Sequence, residues 1–166
     1  MIQGLIFDLD QTLVDSSIAE AYRSGRNWQK VYSLIPEFEV YSGFQEVFSF
    51  IQKKGIRTCI VTTSPGLYAQ KVANHFQIPY EFIIDYFSTS RKKPSPDPML
   101  KAIGLFGLHP NNILSLGDRA IDIQSSNGAG IKSVACLWGT NERTVLLASN
   151  PTYMIGRPND ILELMI

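Results

Sequence analysis

The stretch Leu5-Ile6-Phe7-Asp8-Leu9-Asp10-Gln11-Thr12-Leu13 decides the fold of this chain. An apolar run with strand character carries two carboxylates, two residues apart, into a turn. Residues i and i+2 of a strand project to the same side, so Asp8 and Asp10 are expected side by side where the strand ends. Like charges at that spacing repel unless a cation or a proton lies between them. A hard divalent cation with oxygen ligands, Mg²⁺ before others, suits the pair. The pair also offers a nucleophile beside a general acid. A plain turn that happens to hold two aspartates is the alternative this segment alone leaves open.

Composition narrows the rest. The 166 residues suit one domain, residues 1–166, able to bury a core without staples. Lys plus Arg (15) balance Asp plus Glu (15), so net charge gives no electrostatic case for nucleic acid or an anionic membrane. Arg91-Lys92-Lys93 is the only basic run. Cys59 and Cys136 lie in apolar segments and read as buried free thiols in a reducing compartment, hence a cytoplasmic location. The first apolar stretch meets Asp8 without a basic lead, which argues against a signal peptide. No apolar run approaches the ~20 residues of a membrane span.

Strand and helix patterns alternate along the chain. Ser16 to Leu34 is polar and patchily helical, and Pro36 ends it. Phe44, Val47, Phe48 and Ile51 trace an amphipathic helix closed by Gly55. Strands are expected at 58–62, 82–84, 113–116, 132–137 and 153–155, and helices around Tyr68 to Phe76, after Asp97-Pro98, at 121–127 and at 161–166. In the helix after Asp97, which reads as its N-cap, Leu100, Ala102 and Ile103 are expected to face inward. The alternation implies βαβ crossovers and a parallel sheet, with ligands beyond the carboxyl ends of the strands.

Four polar clusters fall at those ends. The first is Asp8 to Thr12. Thr62-Thr63-Ser64-Pro65 closes a strand and opens a helix, where hydroxyls and free N–H groups bind phosphate or merely cap. Lys92-Lys93-Pro94-Ser95-Pro96 holds a lysine in one direction, for a phosphate or as a surface turn. Gly117-Asp118 ends a strand, and Asp122 follows one helical turn on, as a metal ligand and its neighbour or as ordinary acidic residues of a first helical turn.

In this order the four clusters resemble the haloacid dehalogenase-like hydrolase superfamily over nearly the whole chain. Asp8, Asp10 and Thr12 match its Asp-x-Asp-x-Thr; Thr62 matches the Thr or Ser after a strand. Lys93 matches the Lys of Lys-Pro-x-Pro, and Gly117, Asp118 and Asp122 match Gly-Asp-x-x-x-Asp. Leu13-Val14-Asp15-Ser16 and the Lys-Pro-x-Pro-Asp-Pro string look like the phosphoglycolate phosphatase-like branch. Gln11 stands where Gly is common and Thr63 where Asn is frequent. The second carboxylate, Asp10, argues against a dehalogenase.

The resemblance implies an α/β fold: a three-layer, Rossmann-like parallel sheet with helices on both faces. It implies a Mg²⁺-dependent phosphatase acting on a small phosphorylated substrate, or a bulkier one. Asp8 would be the nucleophile forming an aspartyl-phosphate and Asp10 the acid and base. Thr62, Thr63 and the N–H groups near Leu9 and Asp10 would hold phosphoryl oxygens, with Lys93 balancing charge. Asp8, the Asp10 carbonyl and Asp118 would ligate Mg²⁺, with Asp122 supporting them. A phosphomutase of the same superfamily and a non-catalytic module retaining the fold are the alternatives. Family caps select the leaving group; here only about 16–41 is free for one, enough for one helix and a loop presenting Tyr22 or Trp28. The stretch between Thr62 and Lys93 leaves no room for a second cap. An open site follows, unless another subunit closes it, and the sequence does not set the oligomeric state.

Overall fold

The computed structural model describes residues 1–166. Its strands are β1 (Gly4–Phe7), β2 (Val14–Asp15), β3 (Glu39–Val40), β4 (Arg57–Val61), β5 (Phe82–Ile84), β6 (Ile113–Gly117), β7 (Lys132–Cys136) and β8 (Tyr153–Ile155). Its helices are α1 (Glu20–Ser24), α2 (Trp28–Leu34), α3 (Phe44–Lys54), α4 (Gly66–His75), α5 (Asp97–Phe106), α6 (Ala120–Gly128), α7 (Arg143–Ala148) and α8 (Ile161–Leu164). Six strands make one sheet in the order β5-β4-β1-β6-β7-β8, every neighbouring pair parallel. β2 and β3 pair separately as an antiparallel hairpin.

β1 is central. Leu5 pairs with Thr58 on one side and Leu114 on the other, and all four β1 residues are buried. Burial on both faces is why its sequence is a continuous apolar run rather than an alternating one. Leu5 and Phe7 enter the larger core, with α3, α4 and α8. Ile6 enters a second core on the other face with Met99, Ala102 and Phe106 of α5. After β5 the chain crosses to β6 on the far side of β1. That reversal opens a crevice at the carboxyl ends of β1 and β6, where Asp8 and Asp118 follow their strands.

Three local expectations are corrected. The 16–41 segment folds as two helices, not one: Gly25 ends α1, Arg26 adopts a left-handed φ of 57°, and the Asn27 side chain caps α2 by accepting from Lys30 N. Its apolar residues Ala19, Val31, Ile35 and Phe38 join the main core instead of forming their own, and pairing of Val14 with Val40 ties its two ends together. In α5, Leu100 is 50% exposed, and the inward residues are Met99, Ala102 and Phe106. The N-cap there is Pro96, one residue earlier than expected, and the inward stripe runs 99, 102, 103, 106. The last helix stops at Leu164 and is preceded by a tight turn at Pro158–Asp160. Cys59 and Cys136 are buried and free, as expected, and no helix is long and apolar enough to cross a membrane.

Candidate active site

Asp8 extends the central strand by one rung, its N–H donating to Leu116 O at 2.9 Å. The chain then turns through a loop closed on itself by Gln11 N to Val14 O and Leu13 N to Leu9 O. Leu9 buries its side chain in the core, so only its backbone faces the crevice. Gln11 takes the left-handed φ of 64° that a Gly would adopt more easily. Its side chain offsets that strain: Oε1 accepts from Ser16 N at 2.8 Å, and Nε2 donates to Asp15 at 3.2 Å. Trp138 Nε1 donates to Thr12 O at 2.9 Å and packs against Tyr41 and Phe44. Trp138 thus clamps the loop from beneath, while Gly139 lies on the cleft wall. A Cβ on Gly139 would sit 2.0 Å from Gln11 O, so the loop seats only against a glycine.

Lys93 is drawn from its exposed neighbours into the interior. Its Nζ donates to Asp8 Oδ1 (2.9 Å), Asp122 Oδ1 (2.6 Å) and Val61 O (3.0 Å). Lys92 turns the other way, to Thr89 O and over the Tyr86 ring. Thr12 Oγ1 donates to Asp118 Oδ1 at 3.0 Å and lies 3.5 Å from Asp8 Oδ2. Asp122 Oδ2 accepts from Arg119 N, so both of its oxygens are already engaged. Gly117 makes room for it: a Cβ there would lie 2.3 Å from that of Asp122. Thr62 closes β4, is buried, and accepts from Ser64 N at 3.0 Å; Thr63 is exposed on the cleft wall.

Oxygens of Asp8, Asp118 and Asp122 lie within 4.8 Å of one another. Burial raises the Asp8 carboxyl to about 6, with Lys93 opposing and Asp122 reinforcing. Burial, then Asp8 and Asp122, raises Asp118 to about 9. For Lys93 burial acts downward, but Asp122 and Asp8 outweigh it, and its ammonium is held charged. Three close carboxylates therefore face one cation, and the group is short of positive charge. An all-oxygen, anion-rich set of this kind fits a hard divalent cation such as Mg²⁺. Because Asp122 is committed to Lys93 and Arg119, the oxygens suited to ligation are those of Asp8 and Asp118.

Asp8 and Asp10 share the cleft, and the Asp10 charge adds to the upward push on the Asp8 carboxyl, but the two carboxylates have separate hydrogen-bond partners. The strand ends before Asp10, so the two-residue repeat no longer governs where its side chain goes. Asp10 Oδ1 instead accepts from Ser16 Oγ (2.6 Å), from Tyr68 OH (2.6 Å) and from Arg23. These partners were missed in the sequence. Tyr68 reads as one more apolar residue of a helical stripe, and Arg23 as one polar residue of a solvated helix; neither carries a local signal. Trp28 packs on Tyr68 with ring centres 5.7 Å apart and lines the cleft, whereas exposed Tyr22 stacks under Lys30. The cleft has a volume of about 1020 Å³, and few of its lining residues are hydrophobic.

The family model described as haloacid dehalogenase-like hydrolase matches residues 19–136. The chain belongs to this family. The match contains Thr62, Lys93, Asp118 and Asp122; Asp8 and Asp10 precede it. Pyrophosphatase PpaX of Bacillus cereus (strain AH820) is 28% identical over 169 residues, 96% of this chain and 74% of the relative. Pyrophosphatase PpaX of Bacillus mycoides (strain KBAB4) is 31% identical over 80% of this chain and 61% of the relative. A phosphoglycolate phosphatase of Pseudomonas syringae pv. tomato is 26% identical over 92% of this chain, which spans 57% of that relative's length. The fold is shared with a subfamily IA hydrolase of the same superfamily from Geobacter sulfurreducens: TM-score 0.77, 18% identity, covering 99% of this chain and 97% of that one. It is also shared with CbbY from Rhodobacter sphaeroides: TM-score 0.83, 16% identity, covering 97% and 96%. The chain is thus a haloacid dehalogenase-like hydrolase whose relatives carry phosphatase and pyrophosphatase names.

Proposed function

We propose that the chain hydrolyses a small phosphate monoester through an aspartyl-phosphate on Asp8. The observation that carries this reading is the bridge of Lys93 Nζ between Asp8 and Asp122, beside Asp118, at the switch of the parallel sheet. An oxygen of Asp8 attacks phosphorus, and the bond from phosphorus to the leaving oxygen breaks as Asp10 delivers a proton to it. Asp10 then takes a proton from water. The water oxygen attacks the same phosphorus, its bond to Asp8 breaks, and inorganic phosphate leaves with the Asp8 carboxylate restored. Lys93 holds Asp8 in line and offsets charge on the phosphoryl oxygens. Thr62, Thr63 and the N–H groups of Leu9 and Asp10 grip those oxygens. Mg²⁺ would be held by Asp8, the Asp10 carbonyl and Asp118, and would supply charge neutralisation between nucleophile and phosphate.

The 16–41 segment is read as a reduced cap on a single domain. It contributes Ser17, Glu20, Arg23 and Trp28 to the cleft wall, and two short helices are too little to enclose a substrate, so in this reading small esters enter with little selection. An open cleft favours hydrolysis over a mutase, which must exclude water from its phosphoenzyme. The names of the pyrophosphatase and phosphoglycolate phosphatase relatives support a small phosphorylated substrate. The test is release of p-nitrophenolate from p-nitrophenyl phosphate, with Mg²⁺ and with EDTA. Turnover that needs Mg²⁺ is expected; equal turnover in EDTA would overturn the metal-assisted reading.

A further inference from the structure

We propose that Arg23, acting through Ser16 and Tyr68, is the positioning residue that fixes which oxygen of Asp10 handles the proton. The proposal rests on Asp10 being the acid and base described above. Donors from three separate parts of the chain converge on one atom, Oδ1: Ser16 after β2, Arg23 on α1 and Tyr68 on α4. The other oxygen, Oδ2, has only Ser64 Oγ at 3.4 Å. A carboxyl oxygen that already accepts three donors has no room for a proton of its own. The proton Asp10 delivers, and later takes, is therefore confined to Oδ2.

Arg23 organises the other two donors. The nitrogen that meets Asp10, Nη1, also lies 2.6 Å from Ser16 Oγ and 3.1 Å from Tyr68 OH, its two hydrogens shared among the three acceptors. Each hydroxyl has a single hydrogen, and accepting from Arg23 leaves that hydrogen to point at Asp10. Trp28 of α2 backs the Tyr68 ring. Both helices of the 16–41 segment thus bear on the Asp10 carboxylate, which gives the short segment a task other than enclosing substrate. Arg23 is 15% exposed and its reach is taken up by Asp10. Arg26 and Arg119, both exposed on the cleft wall, are the arginines placed to meet a substrate anion.

The experiment compares leaving groups. With Mg²⁺ present, kcat/KM is measured for p-nitrophenyl phosphate, ethyl phosphate and pyrophosphate, using wild type, R23M, R23K and R23M in a D10N background. This parameter reports the steps through formation of the aspartyl-phosphate, in which the leaving oxygen is protonated. p-Nitrophenolate leaves without help; ethoxide does not. R23M is expected to lose roughly 30-fold or more on ethyl phosphate and under about threefold on p-nitrophenyl phosphate, within the range of general-acid effects. R23K should recover part of the loss, and R23M should add nothing once Asp10 is Asn. Equal losses on all three substrates, a loss confined to pyrophosphate, or additivity with D10N would overturn the proposal. If R23M does not fold, Y68F removes one donor without removing charge and should show the same leaving-group pattern, smaller. Absence of wild-type turnover on every substrate would overturn the phosphatase reading itself, a result distinct from any of these.

Discussion

Asp8 and Asp10 stand two residues apart, yet their charges are met in different ways. Asp8 shares the Lys93 ammonium with Asp122 and lies beside Asp118, all of it at the buried floor of the crevice. Asp10 has an arginine of its own and two hydroxyl donors on the cleft wall, and is 17% exposed. The floor is left with a deficit of positive charge that a metal can fill. The wall is already neutral, so its hydrogen bonds serve direction rather than charge. Adjacent residues can therefore answer to different perturbations, metal on one side and leaving group on the other.

The largest expected effect breaks the floor chemically. Asp8→Asn keeps the shape but removes the nucleophile, and turnover of p-nitrophenyl phosphate should fall by ~10³-fold or more. Turnover at the wild-type rate would end the aspartyl-phosphate mechanism.

Next comes the cation the floor already contains. Lys93→Ala leaves Asp8 and Asp122 buried without a counter-charge, and losing one member of a buried pair costs about 3–5 kcal/mol. Lys92→Ala, whose ammonium lies over an exposed ring, should stay within about 0.5 kcal/mol. Denaturant unfolding of the two variants makes the comparison, and equal losses would mean that Lys93 is not the counter-charge of the floor.

The floor was legible in the sequence because its chemistry recurs at strand ends. Asp8, Lys93, Asp118 and Asp122 each carry a local marker: an apolar run before them, a proline after, or a glycine beside. Parallel pairing then brings them together, and the six-strand sheet follows from the same alternation. The wall was not legible. Arg23 reaches Asp10 from α1, in a segment that Gly25 and Asn27 break into two helices, and Tyr68 reaches it from α4, far along the chain. That placement is tertiary, and no spacing along the chain encodes it. Leu100 was misplaced because it lies about 100° round the helix from Met99 and so falls outside the 99, 102, 103, 106 stripe that packs inward, while Ala102 and Ile103 were read correctly.

A third effect separates the two regions by pH. The floor carboxyls are raised from 3.8, Asp8 to about 6 and Asp118 to about 9. Metal-free folded protein then holds protons that the unfolded chain releases. The resulting stability is complete below the unfolded value of 3.8 and is lost as pH rises through about 6 for Asp8 and about 9 for Asp118. In EDTA, thermal melts should therefore fall from about pH 5 to about pH 9. Mg²⁺ at ~100 times its dissociation constant should restore roughly 2.7 kcal/mol, and more of the fall should be recovered at the alkaline end. Melts that ignore Mg²⁺ at a concentration saturating activity would remove the metal from the floor.

The smallest effect on turnover tests the link between the regions. Gln11 joins them: it lies in the loop running from Asp8 to the hairpin, and its Oε1 accepts from the backbone N–H of Ser16, whose hydroxyl is one of the Asp10 donors. Gln11→Gly relieves a left-handed φ, worth about 1 kcal/mol, but removes that contact and those to Asp15 and Tyr41, each worth about 0.5–1.5 kcal/mol net. It also frees the unfolded backbone. The opposing terms leave a net loss of about 1–4 kcal/mol, at about 2–4 °C in Tm per kcal/mol for a chain of this size. The more telling readout is again the leaving group. If Gln11 steadies Ser16 and through it Asp10, the variant should lose a few-fold on ethyl phosphate and stay near wild type in its Mg²⁺-dependent gain in Tm, because nothing on the floor has been touched. A variant that instead lost its Mg²⁺ response while treating both esters alike would show that the loop serves the metal floor and not the Asp10 wall.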